Sequence, residues 1–380
     1  MVNQSFDSIN RETLQQFLDS AGALDAQAME QARQRQSELA KPPGSLGKLE
    51  DLAVQLAGIT GQVCSQIGRK MLLVFCADNG VVKEGVSSCP QSVTAAQTVN
   101  LARGKTGAAV LARHFGCELR VFDVGVAADL DESGVYTHKV AYGTANIAEG
   151  PAMSEQEALQ AISIGAHAAI KAAADGAQVI GVGEMGIGNT TTAAAVLCAL
   201  TGKAVKEVTG KGAGLTREAY ENKCAVVERA LSVNPADRPD VIDVLAKLGG
   251  LDIAAMTGAF LGAAQARVPV VVDGFISAVA ALCAYRLCPL AKEYMVASHA
   301  SAEIGYHIAI ESLGLQPLLQ LDMRLGEGSG CPPAMALLDA ACAVMNEMAS
   351  FEQAGIDDSY LEEIRAEDAF CVSSGERDCV

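Results

Sequence analysis

Short, almost wholly apolar runs recur along this 380-residue chain, and they alternate with glycine-containing turns and with helices rich in small residues. A strand that is buried on both faces has such a sequence, because helices cover both sides of a parallel sheet. The repeated succession of strand, turn and helix therefore predicts an α/β fold with a parallel sheet. The predicted strands are residues 71–75, 119–122, 179–182 and 268–272, and the predicted covering helices are residues 93–114, 154–174, 190–200, 217–233 and 276–285.

The chain is also expected to be helical before the first strand. Residues 4–40 carry apolar side chains at helical spacing, and the pattern breaks at the Lys-Pro-Pro-Gly-Ser run of residues 41–45. It resumes over residues 46–59, where Ser45 is the expected N-cap.

The charge balance limits the partners of the protein. Lys and Arg total 28 against 45 Asp and Glu, which gives a net charge of −17. This charge repels nucleic acid and anionic lipid surfaces, so neither is an expected partner, whereas a helix N-terminus can still bind a small phosphate. The longest apolar run, residues 268–284, contains Asp273 and is shorter than the roughly 20 residues that cross a bilayer.

Cysteine usage and the first residues indicate a reducing compartment. The twelve cysteines are scattered without a CxxC pair, and residues 1–14 lack the apolar core of a signal peptide. We therefore expect a cytoplasmic protein. Residues 357–380 are acidic and are expected to form a flexible tail, with a metal or redox role of Cys371 and Cys379 as the less favoured alternative.

The sharpest local signal is GEMGIGNT, Gly183 to Thr190, where an apolar strand enters a glycine-rich turn that opens an alanine-rich helix. Backbone amides at such a helix start favour a phosphate, and Gly183, Gly186 and Gly188 permit its close approach. The spacing matches the P-loop except that Asn189 replaces the lysine that reaches the β- and γ-phosphates. A monophosphate ester is therefore favoured over a triphosphate, and the alternative is a tight turn without a ligand.

Two other glycine-rich segments carry charged residues. TGKGAGLT, residues 209–216, contains Lys211, a candidate partner of a phosphate or carboxylate, although the segment also fits a mobile loop. In LDMRLGEGSG, Glu327 stands between two glycines, where the backbone can present a single carboxylate. An apolar ligand closing over Glu327 would raise its pKa and make it an effective proton acceptor near neutral pH. The alternative is a surface glutamate in a glycine loop.

Asp78 is a candidate ligand-binding residue because it follows the predicted strand 71–75, and ligands of open α/β sheets bind at the carboxyl ends of strands. The segment 84–94 mixes apolar and polar residues and would suit a wall for a flat ring, with structural turn chemistry as the competing interpretation. Residues 298–307 match neither a hydrolase nor a zinc-protease motif and are expected to be helical. Cys89 and Cys331 are expected to be inert, and no metal site is predicted.

Eight segments, in order and spacing, resemble the nicotinate-nucleotide–dimethylbenzimidazole phosphoribosyltransferase family. The resemblance covers about residues 10–356 and leaves the acidic tail outside. The segments are KPPGSLGKLE (41–50), ADNGV with EGVSSCPQSVT (77–94), GEMGIGNTTTAAA (183–195), TGKGAGL (209–215), GGLDIAAMTGAFLGAA (249–264), VVDGFISAVAAL (271–282), ASHASAEIG (297–305) and LDMRLGEGSG (321–330).

The resemblance implies a Rossmann-like parallel sheet flanked by helices in residues 69–333, and a smaller helical unit from residues 1–68 and 334–356. It implies a homodimer that transfers ribose 5-phosphate from nicotinate mononucleotide to 5,6-dimethylbenzimidazole, with inversion at the anomeric carbon, late in cobalamin assembly. No cofactor is implied.

The resemblance also implies roles for individual residues. Glu327 matches the catalytic glutamate of the family and would accept the N–H proton of the incoming base. On chemical grounds, a carboxylate near the ribose such as Glu184 would stabilise the positive charge that develops as nicotinate departs. Neither step requires a metal. The implied nucleotide contacts are Gly183, Gly186, Lys211, Gly212, Gly214 and Ser301, and the implied contacts of the base are Val86, Ser87, Gln91 and Leu325. The glycine-rich turn adds Gly188, Asn189 and Thr190 on the nucleotide side, and the position after a strand adds Asp78 on the side of the base.

Two alternatives to this reaction stay open. A related transferase would use another base, such as adenine or a phenol, because substitution in residues 84–94 could retune the pocket. A nucleotide-binding sensor would bind the mononucleotide without releasing nicotinate, although the intact Glu327 argues against it.

Overall fold

The computed structural model describes residues 9–212, 214–236 and 240–362, and its centre is a six-stranded parallel sheet. The strands are β1 (Lys70–Ala77), β2 (Cys117–Gly125), β3 (Val135–Thr137), β4 (Val179–Met185), β5 (Val270–Val272) and β6 (Met295–Ala297). They lie in the order β3-β2-β1-β4-β5-β6, so the chain builds outward from β1 on one side and from β4 on the other. Ligands of such sheets bind where the strand order reverses, which here is at the carboxyl ends of β1 and β4.

The predicted α/β class with a parallel sheet is confirmed, and each of the four predicted apolar runs contributes a strand. β3 and β6 were missed. β3 lies at the sheet edge with Tyr136 and Thr137 exposed, so it has no buried apolar run. β6 has only three residues and directly follows a 3-10 helix, Pro289–Tyr294, which leaves too short a pattern to recognise.

Helices flank the sheet, and close crossings explain their small residues. A Cβ added at Gly165 would lie 1.7 Å from the Ala255 carbonyl oxygen, and one added at Gly258 would lie 1.8 Å from that of Ile162. Larger side chains would force the helix that contains Gly165 and the helix that contains Gly258 apart. The helices are α1 (Arg11–Asp19), α2 (Ala26–Glu38), α3 (Lys48–Thr60), α4 (Ser92–Ala102), α5 (Gly107–His114), α6 (Glu155–Ala174), α7 (Asn189–Thr201), α8 (Val205–Val208), α9 (Arg217–Val233), α10 (Val241–Leu248), α11 (Leu251–Gln265), α12 (Phe275–Leu287), α13 (Ile304–Leu313), α14 (Cys331–Glu347) and α15 (Phe351–Ala354).

The prediction of one helix over residues 93–114 is wrong, because the chain forms α4 and α5 with a break between them. Gly104 adopts a left-handed φ of 71°, and the Thr106 side chain caps α5 by accepting the Ala109 N–H. Apolar residues continue at helical spacing through the break, so hydrophobic periodicity does not reveal it. The break creates a second helix N-terminus, that of α5.

The chain divides into two units. Of the described residues, the larger unit takes 9–23 and 69–335 and the smaller takes 24–68 and 336–362, so the boundary falls within α14. The sequence assigned residues 1–68 to the smaller unit, whereas α1 lies with the larger one. Arg11 of α1 pairs there with Glu155 at 2.7 Å and with Asp240 at 2.8 Å.

In the smaller unit, a buried ion pair joins the first and last residues of the KPPGSLGKLE segment. Lys41 Nζ lies 2.8 Å from Glu50 Oε1, and the same oxygen accepts the Leu46 N–H at 2.9 Å. Glu50 thus ties the turn to α3. The expected Ser45 cap is wrong, because Gly47, with a φ of 52°, precedes α3 and no side chain caps it.

Most of the predicted acidic tail, residues 363–380 with Cys371 and Cys379, lies outside the described residues. Among the described helices, none combines the length and the hydrophobicity needed to cross a membrane.

Candidate active site

A cavity of about 520 Å³ opens at the carboxyl ends of the central strands. Glu184 enters it from the end of β4, Asp273 from directly after β5, and Ser301 from the segment after β6. Glu327 and Leu325 come from the loop before α14. This position agrees with ligand binding at the reversal of strand order.

Ten of the predicted site residues line this cavity, and they come from five separate segments of the chain. They are Ser87, Glu184, Gly186, Gly188, Asn189, Thr190, Gly212, Ser301, Leu325 and Glu327.

The other six predicted residues are not among the described residues that line the cavity. Asp78 is buried and accepts the Ala127 N–H at 2.8 Å, so it joins the chain after β1 to the chain after β2. Gly183 lies directly behind the loop of residues 325–330, which we call the Glu327 loop, since a Cβ on Gly183 would be 2.5 Å from the Gly328 nitrogen. The six are Asp78, Val86, Gln91, Gly183, Lys211 and Gly214.

Glu327 is held in an uncommon backbone conformation. Its φ is 62°, and its neighbours Gly326 and Gly328 have φ values of 82° and 79°. A non-glycine residue in this left-handed region costs free energy, so surrounding contacts have to hold it there. The Glu327 N–H donates to Glu184 Oε1 at 3.4 Å, and the Gly328 N–H donates to Asp273 Oδ2 at 3.1 Å. Two buried carboxyl groups from the sheet therefore fix the loop that presents Glu327.

The Glu327 carboxylate lies at the N-terminus of α5. Its Oε2 accepts the Ala108 N–H at 3.3 Å, and its Oε1 accepts from Gln97 Nε2 at 3.4 Å. Burial raises the pKa of Glu327, hydrogen bonds from Ala108, Thr106 and Gln97 oppose this rise, and the charge of Asp273 adds to it. The break between α4 and α5 thus creates the helix N-terminus that binds the carboxylate of Glu327, the candidate general base.

Glu184, Asn189 and Asp252 form a buried cluster at the end of β4. Asn189 Nδ2 donates to Glu184 Oε2 and, at 3.0 Å, to Asp252 Oδ2. Burial and the nearby charge of Asp252 raise the pKa of Glu184 to about 8, and burial raises the pKa of Asp252 to about 6. Asn189, at the position of the P-loop lysine, therefore bridges two carboxyl groups.

Lys223 lies behind the cavity lining, against Thr190, and the sequence prediction missed it. It is buried on α9, its Nζ donates to Thr190 Oγ1 at 2.9 Å, and a Cβ on Gly212 would lie 3.6 Å from Nζ. Burial lowers the pKa of Lys223 to about 8, and the charge of Glu303 acts in the opposite direction. The other charged residues of α9 suggest a solvent-exposed helix, so no sequence pattern marks this lysine. A second helix thereby brings a cation to the turn where Asn189 supplies none.

Asp273 and His299 also line the cavity and were not predicted. The expected helix over residues 298–307 is wrong in its first part, because α13 begins only at Ile304. His299 Nδ1 lies 2.9 Å from Ser298 Oγ and 3.9 Å from Asp273 Oδ1. Both residues follow a strand, so recognition of β6 would have marked His299 by its position at a carboxyl end.

The two cysteines expected to be inert have different surroundings. Cys331 is buried, and burial raises its pKa well above the ordinary value of a thiol. Cys89 is half-buried and lines the cavity. Within the described residues, no group of three or more His, Cys, Asp or Glu side chains is arranged to hold a metal ion.

Comparisons with known proteins give one consistent result. A family model described as phosphoribosyltransferase matches residues 21–356. A nicotinate-nucleotide–dimethylbenzimidazole phosphoribosyltransferase of Clostridium perfringens is 50% identical over 359 residues, which cover 94% of this chain and 99% of the relative. An enzyme of the same name from Ruminiclostridium cellulolyticum is 48% identical over 345 residues, covering 91% and 98%. A crystal structure of the enzyme of that name from Thermus thermophilus matches with a TM-score of 0.83 and 42% identity, covering 88% of this chain and 99% of that chain.

Proposed function

This chain belongs to the nicotinate-nucleotide–dimethylbenzimidazole phosphoribosyltransferase family, and from that premise we propose which residues carry each part of the transfer. The enzyme moves ribose 5-phosphate from nicotinate mononucleotide to 5,6-dimethylbenzimidazole in the synthesis of the cobalamin lower ligand. The bond between the anomeric carbon and nicotinate breaks, and its electron pair leaves on the pyridine nitrogen. A new bond forms to a nitrogen of the base, which gives α-ribazole 5′-phosphate and requires the base to lose its N–H proton.

Glu327 is the general base that accepts this proton. The observation that carries the assignment is its carboxylate, which lines the cavity, is buried, and lies at the N-terminus of α5. Burial raises the pKa of Glu327, and a carboxylate with a raised pKa is a better proton acceptor near neutral pH.

The phosphate of the mononucleotide binds at the start of α7. Gly186, Gly188, Thr190 and Gly212 line the cavity there, and the amides of a helix start favour an anion. Lys223 Nζ donates a single hydrogen bond to protein, the one to Thr190 Oγ1, among the hydrogen bonds of the described residues. Lys223 is buried behind Thr190 and does not itself line the cavity, so a phosphate bound at this turn brings an oxygen to one of its remaining N–H groups. A monophosphate suits this arrangement, which has one buried cation and no P-loop lysine.

Lys211 and Gly214 flank Gly212 in the same glycine-rich loop and support the nucleotide from outside the cavity lining. Ser301 contributes its hydroxyl group to the nucleotide side of the cavity.

Glu184 stabilises the positive charge that builds on the ribose as nicotinate departs. In the free protein its carboxyl group has a pKa raised to about 8 by burial and by Asp252. The positively charged pyridinium ring of the substrate favours the ionised carboxylate and opposes this rise. Asn189 fixes the orientation of the carboxyl group through its hydrogen bond.

The substrate 5,6-dimethylbenzimidazole lies against a wall of polar and apolar side chains. Ser87 and Leu325 line the cavity, and Leu325 is 57% exposed, as suits a residue that closes over an incoming ring. Val86 and Gln91 belong to the same segment as Ser87 and support that wall, and Asp78 holds the chain that leads into it.

The protein acts as a homodimer in the cytoplasm. The dimer rests on the family resemblance, and light scattering after gel filtration should give about twice the 39.2 kDa mass of the chain. The compartment is supported by the cysteines, because the ten within the described residues are free thiols. A monomeric mass or a protein recovered with the membrane or secreted fraction would contradict these two assignments.

The reaction is tested by nicotinate release from nicotinate mononucleotide, with and without 5,6-dimethylbenzimidazole, followed by chromatography and mass analysis of the product. We expect release that depends on the base and yields α-ribazole 5′-phosphate. Transfer to adenine or a phenol in place of this base would favour the related transferase. Binding of the mononucleotide without any release would favour the sensor.

A further inference from the structure

Asp273 contacts the Glu327 loop through the backbone of that loop. Its Oδ2 accepts the Gly328 N–H at 3.1 Å, and its Oδ1 accepts the Gly330 N–H at 2.7 Å. The side chain of Asp273 is 3% exposed, so both bonds are made away from water. A carboxylate can accept on both oxygens at once, whereas an amide side chain has only one oxygen that accepts.

We propose that Asp273 is a positioning residue for Glu327: its carboxylate clamps the amides on either side of Ser329, and its negative charge keeps Glu327 an effective proton acceptor. This inference rests on the proposed role of Glu327 as general base. Asp273 does not itself touch the proton that is transferred.

The backbone at Glu327 needs such a clamp. Three consecutive residues, Gly326 to Gly328, have positive φ values, and Glu327 is the one for which this conformation is sterically costly. The hydrogen bonds to the Glu327 carboxylate are long, at 3.3 and 3.4 Å, and bonds of that length are weak. The bond at 2.7 Å between Gly330 and Asp273 is the shortest of those that hold the loop to the sheet.

His299 packs against the same loop and lies next to Asp273. A Cβ on Gly330 would lie 2.0 Å from His299 Nδ1, so the loop packs directly against the imidazole ring. His299 Nδ1 is 3.9 Å from Asp273 Oδ1, and its ring stacks on Tyr306 with 6.4 Å between the ring centroids.

Several titratable groups surround the Asp273 and Glu327 carboxylates. Burial raises the pKa of Asp273 itself, whereas the charge of His299 and the N–H groups of Gly328 and Gly330 oppose this rise and favour the ionised carboxylate. The elements α4 and α5 face Glu327 with the uncharged side chains of Gln97 and Thr106. The titratable or charged groups that other elements bring to the pair are Glu184, His299, Tyr306, Arg324 and Cys331.

The test compares Asp273→Asn with the wild-type enzyme in nicotinate release with 5,6-dimethylbenzimidazole, from pH 5 to 9. We expect kcat to fall about 10- to 100-fold, the loss that a small misplacement of a catalytic group causes, with little change in KM for nicotinate mononucleotide. The acidic limb of the kcat profile should move to lower pH, because the lost negative charge no longer raises the pKa of Glu327. Asp273→Glu keeps the charge and should leave the limb in place.

A purely structural role of Asp273 would lower kcat at every pH without moving the acidic limb of the kcat profile. That result would overturn the claim that the charge of Asp273 acts on Glu327. Asp240→Asn is the matched control, because Asp240 caps α10 and should leave kcat unchanged. Glu327→Gln is measured in parallel. If it keeps wild-type kcat, the proposed general base fails; if it loses activity while Asp273→Asn keeps wild-type kcat and profile, only the positioning role fails.

Should Asp273→Asn fail to fold, hydrogen exchange of the wild-type enzyme tests the clamp directly. The peptide that spans residues 326–331 contains both clamped amides, and we expect it to exchange slowly. Exchange at the rate of an open loop would overturn the clamp.

Discussion

Replacing Lys223 with methionine is expected to change stability and substrate binding in opposite directions. Burial lowers the pKa of Lys223 from 10.5 to about 8 in the free protein. At about 1.4 kcal/mol per factor of ten, the wild-type protein thereby loses about 3 kcal/mol of unfolding free energy at pH 7. Methionine removes this cost and also loses the hydrogen bond to Thr190, worth about 1 kcal/mol. We therefore expect Lys223→Met to be more stable by about 2 kcal/mol, which is about 2 to 3 °C in Tm for a chain of this length.

The gain in stability should depend on pH. The unfolded chain keeps the Lys223 proton up to about pH 10.5, whereas the folded chain loses it from about pH 8. Between these two values the unfolded state binds more protons, so the stability of the wild-type protein rises with pH. The advantage of Lys223→Met should accordingly be complete at pH 7 and mostly lost at pH 10.

The same substitution removes the buried cation beside the phosphate turn. A hydrogen bond between charged groups contributes about 1.5 to 3 kcal/mol, which corresponds to about a 10- to 100-fold change in affinity. We expect KM for nicotinate mononucleotide to rise by that factor and KM for 5,6-dimethylbenzimidazole to stay the same, because Lys223 lies against Thr190 and Gly212, which line the proposed nucleotide side of the cavity.

The assay combines thermal melts of the free proteins at pH 7 and 10 with steady-state nicotinate release. Lys206→Met is the matched control, because Lys206 is exposed on α8 and its replacement should change neither Tm nor KM. A Lys223→Met protein that is less stable than wild type and binds the mononucleotide equally well would refute the reasoning for a buried cation that binds phosphate.

The remaining predictions concern Glu184 and Gly183. The pKa of Glu184 is raised from 4.5 to about 8 in the folded protein, so its contribution to stability is present below pH 4.5 and is lost as pH rises through 8. Thermal melts should therefore decline less with pH for Glu184→Gln than for wild type, and equal slopes would show that Glu184 is not a buried acid of this kind. A Cβ in Gly183→Ala would lie 2.5 Å from the Gly328 nitrogen and displace the Glu327 loop. We expect kcat to fall about 10- to 100-fold and the unfolding free energy to fall by about 1 to 3 kcal/mol, whereas wild-type kcat would mean that the loop tolerates the shift.

The parallel sheet could be predicted because its inner strands are buried on both faces. β1 and β4 are buried along almost their whole length, their residues 71–75 and 179–182 are largely apolar, and each strand is followed by a turn and a helix. β3 carries exposed side chains at the edge of the sheet, and β6 is only three residues long, so neither produces a run of this kind. The break before α5 depends on one glycine in a left-handed conformation, which a hydrophobic pattern cannot show.

The candidate site was visible in the sequence where its chemistry is carried by consecutive residues. The turn from Gly186 to Thr190 and the glycines around Glu327 are local features, and the fold brings both to one cavity. Asp273 and His299 line the same cavity as single residues of separate elements, and Lys223 lies behind that lining, against Thr190. Asp273 and His299 each follow a strand, so their position at a carboxyl end is a signal in the sequence once the strand is recognised. The residues next to Lys223 on α9 give no such signal.

The most direct test of the mechanism is a single-turnover measurement of nicotinate release by Glu327→Gln with saturating 5,6-dimethylbenzimidazole. Glutamine keeps the shape of the side chain and can still accept the Ala108 N–H through its one amide oxygen, but it cannot accept the proton of the base. We expect the rate of transfer to fall about 100- to 10,000-fold, with binding of nicotinate mononucleotide unchanged. Release at the wild-type rate would contradict the assignment of Glu327 as the general base.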